Sequence, residues 1–453
     1  MGSIAINTTV DPTTLFSKRV QQYEPGAIRS LLPLEALPGM ISLVAGKPNP
    51  ETFPFAEISI LLKGSDGHRI VLEEDQLSEA LQYGLPGGNP ELIMWFEELQ
   101  RRVHGIRDHQ GWACCIGNGS QELIHRAFQV FTDFGDPVLI ETYICTILPP
   151  SFPIMADYFT GQRIRVAGFL RADGHQLSEV QSDAKGLNPV DLERVLSAWP
   201  GKRRPRVLYT VPTGSNPTGQ SCSEIRKAQI LRLAKQFNFM IFEDDAYGFL
   251  NFDQPSYRAR SYLALENEIN GETGRVLRFD SLSKIVSSGM RLGILTGPLP
   301  AVQKVIRITE NINLQPSSTT QMLALTLFNH WGHAGFLQHC ERAANFYRQR
   351  RNVFAAAAEK YLHGRATWET PSAGMFFWLT LLLPPGQDSF EILSRQGKEN
   401  GILAIPGVAF LPNQRSSCQL RVSYSLLPEE KMFEACQRIA KLVDNAWRFE
   451  ILM

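Results

Sequence analysis

The sequence predicts an α/β fold: a large domain with a mostly parallel sheet between helices, joined to a small α+β domain. Three observations lead there. Between about residues 110 and 300, short apolar runs alternate with amphipathic stretches. These runs are continuously apolar rather than alternating, which suits strands of a parallel sheet covered on both faces. After about residue 330 the composition changes, and at 453 residues the chain is long for one core, so two domains are expected.

Taken in order, residues 1–20 are polar and aperiodic and read as a mobile arm. Residues 40–55 read as loop, broken by Gly46, Pro48, Pro50 and Pro54. Residues 74–105 read as helix, interrupted at 83–90 by glycine and proline. The apolar runs follow at 138–140, 207–211, 239–242, 276–279 and 292–296. Between the second and third, Ile225, Ala228, Leu231, Ala234 and Phe237 recur at helical spacing. The last third holds a long helical stretch over about 339–361, strand-like segments at 375–382 and 419–424, and a final helix over 429–447.

Composition narrows the partners. The 45 basic and 45 acidic residues cancel, so no basic excess points to nucleic acid or to an anionic membrane. Lys202-Arg203-Arg204 reads as a solvated loop. Seven cysteines without a Cys-x-x-Cys pair suit a reducing compartment, with Cys114-Cys115 in the core. There is no apolar run of about 20 residues. The start lacks a signal-peptide pattern, and Ile6 breaks a myristoylation pattern. Ile451-Leu452-Met453 is no peroxisomal address, so a cytoplasmic protein is expected. His330-x-x-His333, with His339 and Cys340 nearby, lacks the i, i+4 spacing of helical zinc ligands and reads as structural, so no metal is expected. Gly87-Gly88-Asn89-Pro90 reads as a loop rather than a phosphate cradle.

Three polar clusters each follow an apolar run. Run 207–211 leads into Pro212-Thr213-Gly214-Ser215-Asn216-Pro217-Thr218-Gly219. Run 239–242 ends in Glu243-Asp244-Asp245-Ala246-Tyr247, and run 276–279 in Asp280-Ser281-Leu282-Ser283-Lys284. Ligands of open parallel sheets bind at the carboxyl ends of strands, so Asn216, Asp244, Tyr247, Ser281, Ser283 and Lys284 can converge. Free lysine is a poor nucleophile at neutral pH. A Schiff base with an aldehyde cofactor removes that problem, and pyridoxal phosphate (PLP) then needs a carboxylate against its pyridine nitrogen. Asp244 fits that need, while Tyr247 and Asn216 can hydrogen-bond the ring oxygen. Gly117-Asn118-Gly119-Ser120-Gln121 precedes a helix-like stretch, and a helix N-terminus receives anions. Ser281, Ser283 and Arg291 add hydroxyls and a guanidinium. Singly, each piece has a plainer reading: a surface lysine, a capping carboxylate, an ordinary turn. Their order, each after its own strand, carries the weight.

Asn216-Pro217-Thr218-Gly219, Asp244-x-x-Tyr247 and Ser281-x-Ser283-Lys284 with Arg291 resemble the class I/II aminotransferases of PLP fold type I. The kynurenine/2-aminoadipate branch, which includes fungal aromatic amino-acid aminotransferases, is the nearer resemblance. Ile41-Ser42-Leu43, Pro48-Asn49-Pro50, Phe53-Pro54-Phe55, Leu81-Gln82-Tyr83, Tyr209-Thr210-Val211-Pro212, Gly374-Met375-Phe376 and Leu420-Arg421-Val422-Ser423 carry it. The resemblance runs from about residue 25 to 445. It implies a large PLP-binding domain over 66–329 and a small domain from both chain ends, 21–65 and 330–453. Lys284 would be the Schiff-base lysine and proton carrier, Asp244 the partner of the pyridine nitrogen, and Arg421 the holder of the substrate carboxylate. Ser120, Gln121, Tyr247, Asn216, Ser281, Ser283 and Arg291 would complete the cofactor site. Tyr83 would reach the cofactor phosphate of a neighbouring subunit, so a homodimer with shared active sites is implied. Gly46 would admit the substrate to the backbone, and Arg29 would lie over its side chain. The implied reaction is amino transfer from an aromatic amino acid or 2-aminoadipate to a 2-oxo acid.

This chain departs from the pattern in three places. Cys145 stands where an aromatic residue usually covers the PLP ring, with Tyr143 two residues earlier. Residues 150–185 run longer than the pattern, and Lys47 replaces an apolar residue beside Gly46. Another PLP reaction at Cα (racemisation, decarboxylation or carbon–carbon bond formation) and a non-catalytic binding role stay open at this point.

Overall fold

The computed structural model describes residues 8–24, 31, 34, 37–41, 43, 44, 46–63, 67–106, 111–143, 166–253, 258–413 and 415–451. The strands that frame the chemistry are, in chain order, β1 (Trp112–Gly117), β2 (Pro137–Glu141), β3 (Gln176–Val180), β4 (Val207–Thr210), β5 (Met240–Asp244), β6 (Val276–Ser281) and β7 (Gly293–Pro298). The last third adds β8 (Ala366–Trp368), β9 (Phe376–Leu381), β10 (Ile405–Pro406) and β11 (Gln419–Ser423). The main helices are α1 (Pro90–His104), α2 (Ser120–Phe131), α3 (Glu224–Phe237), α4 (Leu299–Asn313), α5 (Ser318–Leu362) and α6 (Glu429–Ile451). No helix among the described residues is long and apolar enough to cross a membrane. The chain forms two compact units. One comprises Met1–Asp133 with Glu266–His339, the other Phe134–Leu265 with Cys340–Met453.

In the first unit, β6, β7 and β1 pair antiparallel, with Ser281 opposite Gly293 and Gly293 opposite Gly117. Run 292–296, expected among parallel strands, is thus antiparallel to both neighbours. The reason is its connection. Residues 282–292 hold only two short 3-10 turns, and a parallel return needs a crossover of a dozen residues or more. Helix α1 starts where Asn89 accepts from the Leu92 N–H and Pro90 supplies a pre-set φ; it stops at Gly105, whose φ is 64°. Leu92, Trp95, Phe96 and Leu99 bury its apolar stripe. The stretch expected to be a mobile arm is packed from Thr8 onward. Thr8–Thr9 pairs in parallel with Glu272–Thr273, and Leu15, Phe16 and Val20 are buried. Phe16 meets Phe131 edge to face at 5.4 Å, so three apolar side chains in a polar segment suffice to dock it. The histidines have structural partners: His330 stacks on His68, His333 on Trp95, and His339 Nε2 lies 2.7 Å from the Ile285 carbonyl.

In the second unit β5, β4, β2 and β3 form a parallel sheet in that order. Every residue of β2 and β4 is buried, as their unbroken apolar runs require. β3 is more polar and only partly covered, which fits its place at one end of this order. Helix α3 matches the expected span. The four-stranded antiparallel sheet β8-β9-β11-β10 buries Phe377, Leu379, Leu420 and Val422 with Met432, Cys436, Ile439 and Val443 of α6. Alternation turns Phe376, Trp378 and Arg421 to its other face, with Trp378 opposite Arg421. Residues 166–185, part of the long segment, form Val166–Ala172, β3 and the start of a two-stranded ribbon; residues 150–165 lie outside the described residues.

Register sorts the polar residues of the parallel sheet. Tyr209 pairs with Phe242 and Thr210 with Glu243, so Tyr209, Phe242 and Asp244 share one face. Thr210, Glu141 and Glu243 take the other. There Glu141 accepts hydrogen bonds from the Thr210 hydroxyl and the Val211 N–H, and Glu243 accepts from the N–H groups of Tyr262 and Leu263. Burial pushes the Glu141 carboxyl up to about 7 against these lowering hydrogen bonds.

The folded chain therefore holds the Glu141 proton more tightly than the unfolded chain does. Its stabilising contribution is full below the ordinary carboxylate range and is lost as pH rises towards about 7. Glu141→Gln keeps the acceptor oxygen but never ionises. It is expected to match the wild-type melting temperature at pH 5 and to exceed it by about 2–4 °C at pH 8. Glu141→Leu, which strands two donors, is expected to melt lower at both. A pH-independent difference between Gln and wild type would contradict the assignment.

Candidate active site

The first unit gathers an anion cradle. Helix α2 begins at Ser120 with no side-chain cap, so its first N–H groups point out of the helix end without an internal acceptor. Gly119, at φ 92°, turns the chain from β1 into this helix. Arg291 lies across the turn. Its guanidinium donates to Ser283 Oγ at 3.2 Å, to the Ser288 carbonyl at 3.2 Å and to the Asn118 carbonyl at 3.3 Å. Arg291 itself adopts φ 53°, a conformation that non-glycine residues hold only under constraint. A Cβ on Gly119 would collide with that guanidinium. A Cβ on Gly293 would strike the backbone nitrogen of Ser120 and sit 2.8 Å from its Cα. Two glycines thus let β7 and Arg291 close on the start of α2. Ser281, at the end of β6, accepts from the Ser283 N–H at 3.3 Å, and Lys284 closes the 3-10 turn that follows. Ser120, Gln121, Ser281, Ser283, Lys284 and Arg291 therefore belong to one strand-end cluster. Behind it Asp280 is held by Arg278 and by Gln100 Nε2 at 2.9 Å, all three buried.

The second unit gathers a carboxylate and a guanidinium. Asp244 ends β5, and its Oδ2 accepts from the Tyr209 hydroxyl at 2.6 Å. Tyr247 is buried and meets Phe376 edge-on at 6.1 Å. Arg421 donates to Asn216 Oδ1 at 2.7 Å. Its guanidinium carbon lies 4.4 Å from the Phe376 ring centre and 5.2 Å from that of Phe410. Trp378 backs Phe410 at 5.5 Å, and Tyr143 packs on Trp378 at 5.1 Å. The loop carrying Asn216 is seated by Gly214, where a Cβ would lie 2.7 Å from backbone atoms of Ala373 and Gly374. The buried Tyr424 hydroxyl fixes that partner turn through the Gly374 carbonyl at 2.7 Å, and burial raises its pKa. A planar guanidinium between two aromatic faces is built to take a carboxylate with both nitrogens.

Tyr83 is exposed beside Gly84 and Gln315. Gly46 is exposed, with open space around its Cβ position, and Lys47 beside it is exposed too. Arg29 and Cys145 lie outside the described residues. Sequence reasoning quoted Tyr209 and Phe376 only as motif letters and passed over Trp378 and Phe410. The signal for Tyr209 was strand parity, since it sits on the face that Asp244 must occupy.

In the first unit, an uncapped helix start with a guanidinium and hydroxyls fits a phosphate, with a lysine on the same strand end; in the second, the partly buried carboxylate of Asp244 fits a pyridine nitrogen, so each set of residues suits a part of PLP. The family model described as aminotransferase class I and II matches residues 68–439. The aminotransferase tdiD of Emericella nidulans is 66% identical over 449 residues, covering 98% of this chain and 99% of that protein. The mitochondrial kynurenine/alpha-aminoadipate aminotransferase of Bos taurus is 34% identical over 439 residues, covering 93% and 96%. In structure, the chain is similar to aminotransferase Aro8 from Candida albicans, with a TM-score of 0.84 at 25% identity, covering 98% of this chain and all of that one.

Gly293→Ala is expected to push the start of α2 away from β7. Affinity for a phosphate-bearing cofactor should fall about ten-fold, with a stability loss of about 1–3 kcal/mol from overpacking. Equilibrium dialysis alongside a melting curve reads both, and wild-type affinity in the variant would refute the cradle.

Proposed function

The chain belongs to the class I and II aminotransferases, and from that premise we propose that it moves the amino group of an aromatic amino acid or 2-aminoadipate to a 2-oxo acid. It is an aminotransferase with pyridoxal phosphate as cofactor. That cofactor, when bound, supplies the electron sink that loosens the substrate Cα proton and the carbon that carries the amine between half-reactions.

The residues divide the work. Lys284 would hold the cofactor and would take up the proton released at the substrate Cα. Asp244 would pair with the pyridine nitrogen, and Tyr247 with Asn216 would hydrogen-bond the ring oxygen. The α2 N-terminus with Ser120, Gln121, Ser281, Ser283 and Arg291 binds the phosphate. Arg421, oriented by Asn216, would take the substrate carboxylate and so orient the substrate. Tyr83, exposed on the single chain, reaches the phosphate of a partner subunit in a homodimer. Gly46 and Arg29 would serve the substrate as the family pattern implies, while Cys145 takes the position where that pattern has an aromatic residue. Its described cysteines are not cross-linked, which supports a cytoplasmic working place.

The observation that carries the substrate reading is the wall around Arg421: Phe376 and Phe410 flank the guanidinium, with Trp378 and Tyr143 behind. Aromatic rings next to a carboxylate clamp favour an aromatic side chain on the same substrate. The names of the kynurenine/alpha-aminoadipate relatives support the same classes.

A screen of single amino acids against 2-oxoglutarate, with the released oxo acid quantified, tests the choice. Aromatic donors or 2-aminoadipate are expected to lead; a lead by small aliphatic donors would end the substrate reading. Arg421→Ala should raise KM for the donor about 30- to 100-fold, the loss expected for a charge-assisted bidentate pair. Lys284→Ala should abolish turnover, and borohydride should fix cofactor covalently to the wild-type chain but not to the variant. Fixation to the variant would refute the role of Lys284.

A further inference from the structure

We propose that Tyr209 is a positioning residue that acts on the cofactor through Asp244. The inference rests on the reading of Asp244 as partner of the pyridine nitrogen. Three observations carry it. Tyr209 stands opposite Phe242, so Asp244 is two residues further along β5 on the same face, about 7 Å away along the strand. An extended tyrosine side chain spans that gap, and its hydroxyl meets Asp244 Oδ2 at 2.6 Å, the length of a charge-assisted O–H···O bond. Tyr209 is 4% exposed in a strand whose four residues are all buried, so the ring has little room to swing away.

This hydrogen bond does two things. It engages Oδ2 and so fixes the plane of the carboxylate that would meet the pyridine nitrogen. It also gives the carboxylate a donor that suits its ionised form, the form in which it would pair with the ring nitrogen of a bound cofactor. A phenylalanine at 209 would keep the packing and remove both effects. The opposite face of the sheet shows the contrast: Glu141 and Glu243 are held by backbone N–H groups and a threonine hydroxyl, which serve structure alone.

The test is a double-mutant cycle on PLP affinity, measured by equilibrium dialysis for wild type, Tyr209→Phe, Asp244→Asn and the double variant. Tyr209→Phe is expected to raise the PLP dissociation constant about ten-fold, the scale of one hydrogen bond to a charged group. It should also lower kcat about ten-fold, while KM for the amino donor stays within about two-fold. In the Asp244→Asn background the same change should add less than about two-fold, because the two residues act as one unit. Additive losses, or a Tyr209→Phe enzyme with wild-type affinity and kcat, would overturn the proposal. Asp244→Asn with wild-type PLP affinity would instead overturn the reading of Asp244 itself. Should the Phe variant fold poorly, 3-fluorotyrosine at 209 keeps the ring and strengthens the donor. A shift of the holoenzyme's visible absorption then supports the proposal, and an unchanged spectrum sinks it.

Discussion

The register between β4 and β5 decides which carboxylate shares a face with Tyr209. Asp244 follows Glu243 directly, so a slip of one residue would turn Asp244 away and present Glu243 instead. The sheet prevents the slip by occupying both faces. On one, Tyr209 reaches Asp244; on the other, Glu141 pins Thr210 and Val211 while Glu243 receives the first N–H groups of the helix that starts at Tyr262. Each hydrogen bond contributes only about 1 kcal/mol net. Breaking them together would leave several buried polar groups without partners, and that penalty is what holds the register.

The anion cradle solves a different problem. A phosphate needs several N–H groups at one point, which requires backbone segments to approach more closely than side chains allow. Gly119 and Gly293 remove the Cβ atoms that would block that approach, and the antiparallel pairing of β7 with β1 sets Gly293 opposite Gly117 beside it. The constrained φ of Arg291 belongs to the same arrangement, since it lets one guanidinium reach Ser283, Ser288 and Asn118 at once. Local strain and missing side chains are here the conditions for a dense set of donors.

Much of this was legible in the sequence because its logic is local. A polar cluster after an apolar run marks the carboxyl end of a strand, and the clusters holding Asn216, Asp244 and Lys284 lie at the ends of β4, β5 and β6 as such a pattern requires. What was not legible depends on partners distant in sequence. The direction of β7 follows from a short connection that contains no helix. The docking of residues 8–20 involves three buried apolar side chains, of which Phe16 meets Phe131 of α2, too few to show periodicity. The bond from Arg421 to Asn216 joins positions 205 residues apart, and nothing in either segment names the other. Tyr209 falls between these cases. Parity places it on the right face, but only the register gives it Asp244.

Tyr143, the aromatic residue that follows β2, belongs to the wall beside Arg421. Its ring is half-buried against Trp378, in a cluster with Phe410 and Ile405, and burial raises its pKa. The order of contacts runs from Tyr143 through Trp378 and Phe410 to Arg421. A ring so engaged gives up Trp378 if it moves, and losing an aromatic pair costs about 0.5–1.5 kcal/mol beyond the exposed area. The aromatic side chain that follows β2 therefore stiffens the wall of the guanidinium site. A rigid wall there confines Arg421 to the orientation set by Asn216, so the guanidinium and its aromatic lining act as one packed element.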